Sequence, residues 1–403
     1  MDTDNIWLVA STFVKCYKYH WIFPISFSIE NQQLNHMERS ITSTFGIFLV
    51  RSFIFATAFS SLAILFLVNI STVRLLDTKQ ILICAVSGVI YVSAFVAYYE
   101  LSGKMEILTN VANALVDCLF LLERKQHKPR KALLSSSSPP STLVRAFQLI
   151  PTVYAFTPLV IVPFYLHRDL GAPFVLYKIA GGPPLAGGSL ILTAIILLGK
   201  FLYLSIGITE ALRSLSCAII LATQRMLYYT FYMTKLSQNL SKFTTFPLPE
   251  VASSYIKLHV ILQWDQYILN FFAGLYLFAL FFVALVVNFV TLKMFNALPF
   301  YFYMIFPSFA VVILTIIPVI AGRFIKFGDL SEIVLVKMRQ AVGMLEARGE
   351  RRLLHREVKS LRVLRIPAGI GNMQFFQIKG ATICDFYSNI SICTINLLLC
   401  VKI

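Results

Sequence analysis

Seven stretches of this chain each run for about 20 or more mostly apolar residues, the length a helix needs to cross ~30 Å of hydrocarbon. They cover roughly 45–70, 80–99, 143–166, 185–215, 264–292, 300–324 and 375–401. Inside a bilayer no water satisfies the backbone, so a run of this kind folds as a helix that bonds its own amides. Proline within the runs, such as Pro158 and Pro307, is compatible with that, because neighbouring helices re-satisfy the freed groups. Composition points the same way: 58% of the residues are hydrophobic, only 13% are charged, and the mean hydropathy is +0.75. A soluble chain of 403 residues needs more charge than that to cover its surface. The expectation is an all-α integral membrane protein with seven transmembrane helices.

The formal net charge of +16 would suit a nucleic-acid binder if it formed one patch, but it is split between the apolar runs. The second connector carries Lys104, Arg124, Lys125, Lys128, Arg130 and Lys131, and the fourth adds Lys235, Lys242 and Lys257. The sixth holds eleven basic residues between Arg323 and Arg365. Connectors one, three and five are short and carry one or two each. Basic loops stay in the cytoplasm, so the even connectors are expected inside, with the N-terminus cytoplasmic and the C-terminus extracellular. A G-protein-coupled receptor has the opposite orientation, and neither a DRY-like triplet after the third span nor an NPxxY in the seventh is present. Nucleic acid is not an expected partner.

Other classes find little support. Seven cysteines is an odd number, and Cys84, Cys217, Cys384, Cys393 and Cys400 lie inside apolar runs, so neither a disulfide framework nor a metal site is expected. His20, His36, His127, His167, His259 and His355 are scattered, without paired carboxylates, a nucleophile elbow or a phosphate-binding glycine loop. Catalysis and a cofactor are therefore not expected. The N-terminus lacks the basic, apolar and cleavage-site sequence of a signal peptide.

The sixth connector has a pattern of its own. Leu330, Ile333, Val336, Val342, Leu345, Leu353, Leu354 and Val358 recur mostly at three- and four-residue steps, with a break expected at Gly349. That is amphipathic helix, with Leu, Val and Ile rather than Trp or Phe, suited to packing on protein more than to inserting in lipid. Segment 135–142, SSSSPPST, reads as a flexible linker. Four regions follow: a cytoplasmic segment 1–44, spans one to six with their connectors over 45–324, an amphipathic anchor 325–374, and a final span 375–403.

The final span contains groups that hydrocarbon penalises. Thr382, Asp385, Asn389 and Asn396 are spaced three, four and seven apart, which puts them on one helical face, while Ile383, Ile390 and Leu397 lie on another. An ionised carboxylate in a bilayer costs at least ~2.5–3.5 kcal/mol, so it faces water or finds a partner. One reading is a water-lined path in which Asp385, repeated around an oligomer, forms an acidic ring. The other is packing: Lys200, near the middle of the fourth span, pairs with Asp385, and the asparagines bond between helices. A transporter alternating around Lys200, Glu210 and Asp385 also remains open, although no inverted repeat is visible. Aromatics make up 14% of the chain. Phe164, Tyr276, Phe278 and Tyr301 fall in the outer half of their spans and are candidates for a small-molecule pocket. The Gly/Pro-rich third connector, 167–188, is either a lid or plain loop.

Two further stretches carry a family likeness. WIFPISFSIENQQL (21–34) is similar to the aromatic-Pro-apolar opening of the insect-type gustatory and odorant receptor superfamily. GNMQFFQIKG (371–380) resembles the lead-in to that family's seventh span, and Thr394 stands where its Thr-Tyr, five residues, Gln-Phe ending begins. The Tyr position is Ile395, and the Gln-Phe positions are Val401 and Lys402. The likeness is that of a divergent gustatory-receptor-like member. It implies a plasma-membrane, ligand-gated, non-selective cation channel, a homo- or hetero-tetramer with related subunits, opened by a small-molecule tastant or odorant. The seventh spans would line one central pore, and the cytoplasmic parts of spans four to seven would join the subunits. The orientation is directly testable. An epitope at the N-terminus is expected to stain only after permeabilisation, and one at the C-terminus on intact cells; the reverse pattern rejects the assignment.

Overall fold

The structure, a computed structural model, describes residues 4–18, 23–28, 33–36, 40–70, 78–124, 142–168, 172–179, 190–241, 248–295, 300–344, 348–370 and 373–400. Within these the chain forms α1 (Asp4–Cys16), β1 (Ile25–Ser28), β2 (Gln33–His36), α2 (Ile41–Ile70), α3 (Thr78–Gly103) and α4 (Met105–Arg124). There follow α5 (Thr142–Arg168), α6 (Ala172–Ile179), α7 (Leu190–Ser241), α8 (Leu248–Lys293), the short α9 (Phe300–Tyr303) and α10 (Ile305–Gly343). The chain ends with α11 (Arg348–Ser360), β3 (Pro367–Ile370), β4 (Met373–Gln377) and α12 (Gly380–Cys400). The protein is an all-α membrane protein with two small antiparallel hairpins, β1–β2 and β3–β4.

Among the described residues five helices are long and apolar enough to cross a membrane: they lie in α2 (Thr42–Val68), α3 (Ile83–Gly103), α7 (Thr193–Leu240), α8 (Leu248–Lys293) and α12 (Gly380–Cys400). The third expected span falls in α5, where the apolar stretch is Phe147–Pro163, and the sixth in the apolar first part of α10. Hydroxyl pairs join helices in this part of the bundle: Tyr203 to Thr57 at 2.8 Å and Tyr165 to Ser87 at 2.6 Å. In an apolar surrounding each such pair removes the penalty of two unbonded hydroxyls.

α7 and α8 do not stop where the apolar runs stop. At ~1.5 Å per residue their 52 and 46 residues span roughly 78 and 69 Å, more than twice the thickness of the hydrocarbon. Their polar ends join α4, the charged half of α10 and α11 in a second body whose core includes Leu115, Tyr229, Tyr255, Phe327, Met338 and Val358. The break in the sixth connector comes before Arg348, so Gly349 lies in the first turn of α11 and not at the break. Segment 373–380 is also different from the sequence expectation. Met373–Gln377 pairs with Pro367–Ile370 as a strand, so the last helix begins at Gly380 and not at Phe375.

The charged-pole body is held by a buried ion pair. Arg225 on α7 donates to the Asp265 carboxylate on α8 at 2.6 Å and to the Leu108 carbonyl on α4 at 2.8 Å. Tyr229 donates to the second Asp265 oxygen at 2.9 Å. The side chains of Arg225 and Asp265 are 3% and 0% exposed, so neither charge has water to fall back on. A hydrogen-bond chain then fixes the strap that follows α11: Leu364 N–H donates to Ser331, which donates to Tyr255, which donates to the Arg362 carbonyl. The N-terminal segment is docked by similar means. The Asn113 amide both accepts from and donates to the backbone of Leu34 at 2.9 Å, and the Trp7 indole donates to Tyr228 at 2.7 Å. Phe23, Ile25 and Phe27 are buried beneath it.

Asp265→Ala leaves Arg225 buried without its counter-charge, and a loss of about 3–5 kcal/mol is expected. The double variant Arg225→Met, Asp265→Leu is expected to recover most of it, read as the thermal midpoint of the detergent-solubilised protein.

Candidate functional site

α12 is packed on one side only. Ile390 sits among Ala284 and Val287 of α8 and Ile313 and Ile317 of α10. Leu397 and Leu398 meet Phe289, Val290 and Met294. Tyr387 donates to the Leu314 carbonyl at 2.6 Å, and Lys293 donates to the Leu398 carbonyl at 3.0 Å. Ile390 and Thr394 are the buried residues of the helix, Thr394 at 5% exposure with no hydrogen-bond partner for its hydroxyl.

The polar side chains lie on the opposite side. At about 100° per residue, Asp385, Asn389 and Asn396 fall within roughly 40° of one another, and roughly 90–180° round from Ile390 and Thr394. All three are exposed in the single chain. Ile392 occupies the same face, between Asn389 and Asn396, and is also exposed. Thr382 has a distinct role: its hydroxyl accepts from Lys379 N–H at 3.0 Å and so helps to start the helix. Among the described residues no basic side chain reaches Asp385 within ion-pair distance. Lys200 is on α7 with its ammonium 5.1 Å from the Phe174 ring, and α12 packs on α8 and α10. Glu210 pairs with Arg213 at 3.2 Å. The structure does not bring Lys200, Glu210 and Asp385 together.

The hairpin that precedes α12 is fitted to α8 by two glycines. A Cβ on Gly274 would stand 2.5 Å from the Gly369 carbonyl oxygen, so the β3 backbone lies directly on the helix. Ile378, between β4 and α12, is buried, and its N–H donates to the Ile366 carbonyl at 3.4 Å. Any shift of this hairpin along α8 is transmitted to the start of α12.

A cavity of about 410 Å³ lies beside this junction, within the ~300–1,000 Å³ range of small-molecule sites. Its walls come from α5, α7, α8 and α10, with Tyr154, Thr223, Tyr276 and Ile317 among them, and from Ile378 between β4 and α12. Tyr276 donates to the Leu215 carbonyl at 3.1 Å. Of the two aromatic pocket candidates whose side chains are described, Tyr276 lines this space and Phe278 does not. Phe278 is 56% exposed with its ring against Phe282, and the side chains of Phe164 and Tyr301 lie outside the described residues. In the third connector, 172–179 is helix α6 packed on α2, and the rest of the connector from 169 lies outside the described residues. Nothing in the sequence pattern pointed to the cavity, because its lining comes from separate helices that contribute a few apolar residues each.

Two solved structures of the olfactory receptor OR5 of the insect Machilis hrabei share this architecture from end to end. The receptor alone matches with a TM-score of 0.57, and its complex with eugenol with 0.56. In both, 98% of this chain and 97% of that chain are covered, at 14% identity. The chain has the insect olfactory receptor fold. No protein-family model matches the sequence, and neither does a curated protein. The olfactory receptor fold thus persists here at an identity where helix lengths and packing survive but few particular side chains do.

Gly274→Ala is expected to push the β3–β4 hairpin off α8 at a cost of about 1–3 kcal/mol, the range for overpacking. Gly322→Ala, with open space around its Cβ position, is the control and is expected to leave the thermal midpoint unchanged or raised.

Proposed function

We propose that the chain is a gustatory-receptor-like chemoreceptor: a ligand-gated, non-selective cation channel of the insect gustatory and odorant receptor superfamily, working in the plasma membrane as a homo- or hetero-tetramer. The observation that carries this reading is the polar face of α12. Asp385, Asn389 and Asn396 point away from their own bundle, and no described basic residue neutralises the carboxylate. Lipid on that face would leave an unpaired charge in hydrocarbon, at a cost of at least ~2.5–3.5 kcal/mol. Symmetry copies of α12 around one axis replace lipid with water and remove that cost. The likeness to a receptor solved in complex with eugenol supports a small organic molecule as the ligand.

On this reading α12 lines the conduit. Thr382 stands at the cytoplasmic mouth, Asp385 forms an acidic ring that concentrates cations, and Asn389 and Asn396 replace part of the hydration shell. Ile392, on the same face between the two asparagines, forms an apolar ring that closes the path by shedding water. The charged-pole body of α4, α7, α8, α10 and α11, covering the 325–374 anchor, holds the subunits together, while 45–324 forms the membrane bundle behind the pore-lining 375–403 region.

Currents from cells expressing the chain, alone or with a related receptor subunit, test this. Asp385→Lys is expected to lower the cation-to-anion permeability ratio at least about fivefold, since one charge at 4 Å in water is worth about 1 kcal/mol. Ile392→Asn is expected to raise current in the absence of ligand. Unchanged selectivity in Asp385→Lys together with unchanged basal current in Ile392→Asn rejects the conduit.

A further inference from the structure

The cavity between α5, α7, α8 and α10 differs from a closed core defect in two ways. It opens sideways: Leu149 and Val153 of α5 belong to its wall and are 61% and 48% exposed. That face of α5 is apolar, with Phe156 and Leu159 exposed further along it, so the opening leads into hydrocarbon. Second, among the described residues the lining is almost wholly apolar except at Arg323, the one charged residue among them. No described carboxylate pairs with Arg323, although Arg213, Arg225 and Arg365 all have such partners.

The position of Arg323 fixes which end of the space is charged. It lies where α10 passes from its apolar part into the charged-pole body, beside Phe324, which is in that body's core. Phe147, Met226 and Ile378 are at the same end, while Tyr154 lies seven residues beyond Phe147 on α5 and Ile313 ten residues before Arg323 on α10, toward the other end. An occupant therefore meets a long apolar wall, a guanidinium at the boundary of the bilayer, and a lateral opening. A guanidinium presents planar paired donors that match a phosphate or carboxylate.

We infer that this cavity is a binding site for an anionic membrane phospholipid, which enters sideways past Leu149 and Val153, lays an acyl chain against Tyr154, Tyr276 and Ile317, and sets its phosphate on Arg323. The inference rests on the assignment of the charged pole to the cytoplasm, where anionic lipid is concentrated, and not on ion conduction. The occupant touches Ile378, the residue between the β3–β4 hairpin and α12, so its presence bears on how the last helix begins.

The test uses the full-length protein in phosphatidylcholine nanodiscs with trace phosphatidylserine, phosphatidylcholine or free fatty acid, each carrying a diazirine in the acyl chain, and maps the crosslinks by peptide mass spectrometry. Phosphatidylserine is expected to label 219–226 and 273–280. Arg323→Gln is expected to reduce that labelling by about tenfold, the loss of one charged hydrogen bond, and Arg323→Lys to retain most of it. Ala222→Trp, which fills the space, is expected to abolish it while labelling at exposed Phe156 and Leu159 persists. Labelling confined to Phe156 and Leu159 in the wild type overturns the site. Equal labelling by phosphatidylcholine, or no response to Arg323→Gln, overturns the anionic headgroup. Labelling by fatty acid but not by phosphatidylserine overturns the phospholipid. The crosslinks are read without ligand or current, so a failure of the channel reading leaves this result intact.

Discussion

Hydrocarbon offers no hydrogen bonds, and nearly every feature of this protein follows from that constraint. Backbone groups must be satisfied within each crossing segment, which makes the segments helices. Side-chain polar groups must be satisfied between segments or by water. The hydroxyl pairs Tyr203–Thr57 and Tyr165–Ser87 are the first solution. The exposed face of α12, with Asp385, Asn389 and Asn396, has no ion-pair partner among the described residues of its own bundle, and lipid would penalise it. On the proposed reading, that helix calls for an assembly, and the conduit is the way a group of subunits would meet the demand.

At the charged pole the same constraint is handled differently. Arg225 and Asp265 are as thoroughly buried as core leucines, yet each finds its partners: the carboxylate takes two donors and the guanidinium reaches the Leu108 carbonyl as well. Such a pair adds little net stability over an apolar core, because desolvation offsets its attraction. What it does fix is the relation of α4, α7 and α8, since only one register brings all three groups together. The Tyr255–Ser331 pair does the same for α8, α10 and the strap after α11. These contacts form a stiff base, and the two-glycine contact of α8 with β3 connects that base to the start of α12.

The olfactory receptor fold is shared at 14% identity, so most side chains differ between the two chains. Helix length, an apolar face and a small residue where backbones touch are the requirements. Many sequences meet them. Of the gustatory-receptor-like ending that the sequence resembles, Thr394 is buried against the bundle, and Ile395, at the position of the Tyr, is exposed.

Apolar run length and the distribution of Lys and Arg made the membrane class legible from sequence, and four- and seven-residue spacing put Asp385, Asn389 and Asn396 on one face of a helix. These are local properties, readable along one segment. Periodicity also announced the amphipathic segment after 325, but not that α7 and α8 run on to meet it, because polar helix beyond a span has no hydropathy signal of its own. The β3–β4 hairpin escaped notice because Phe375 and Phe376 extend the apolar run of the span that follows. Three facts depended on tertiary structure: that Arg225 meets Asp265 forty residues away, that Lys200 does not meet Asp385, and that four helices leave a space ending at Arg323. Each depends on which helices are neighbours. Side-chain sequence spacing carries no information on that, whereas packing fixes it through shape, buried charge and the close approach of Gly274 to Gly369.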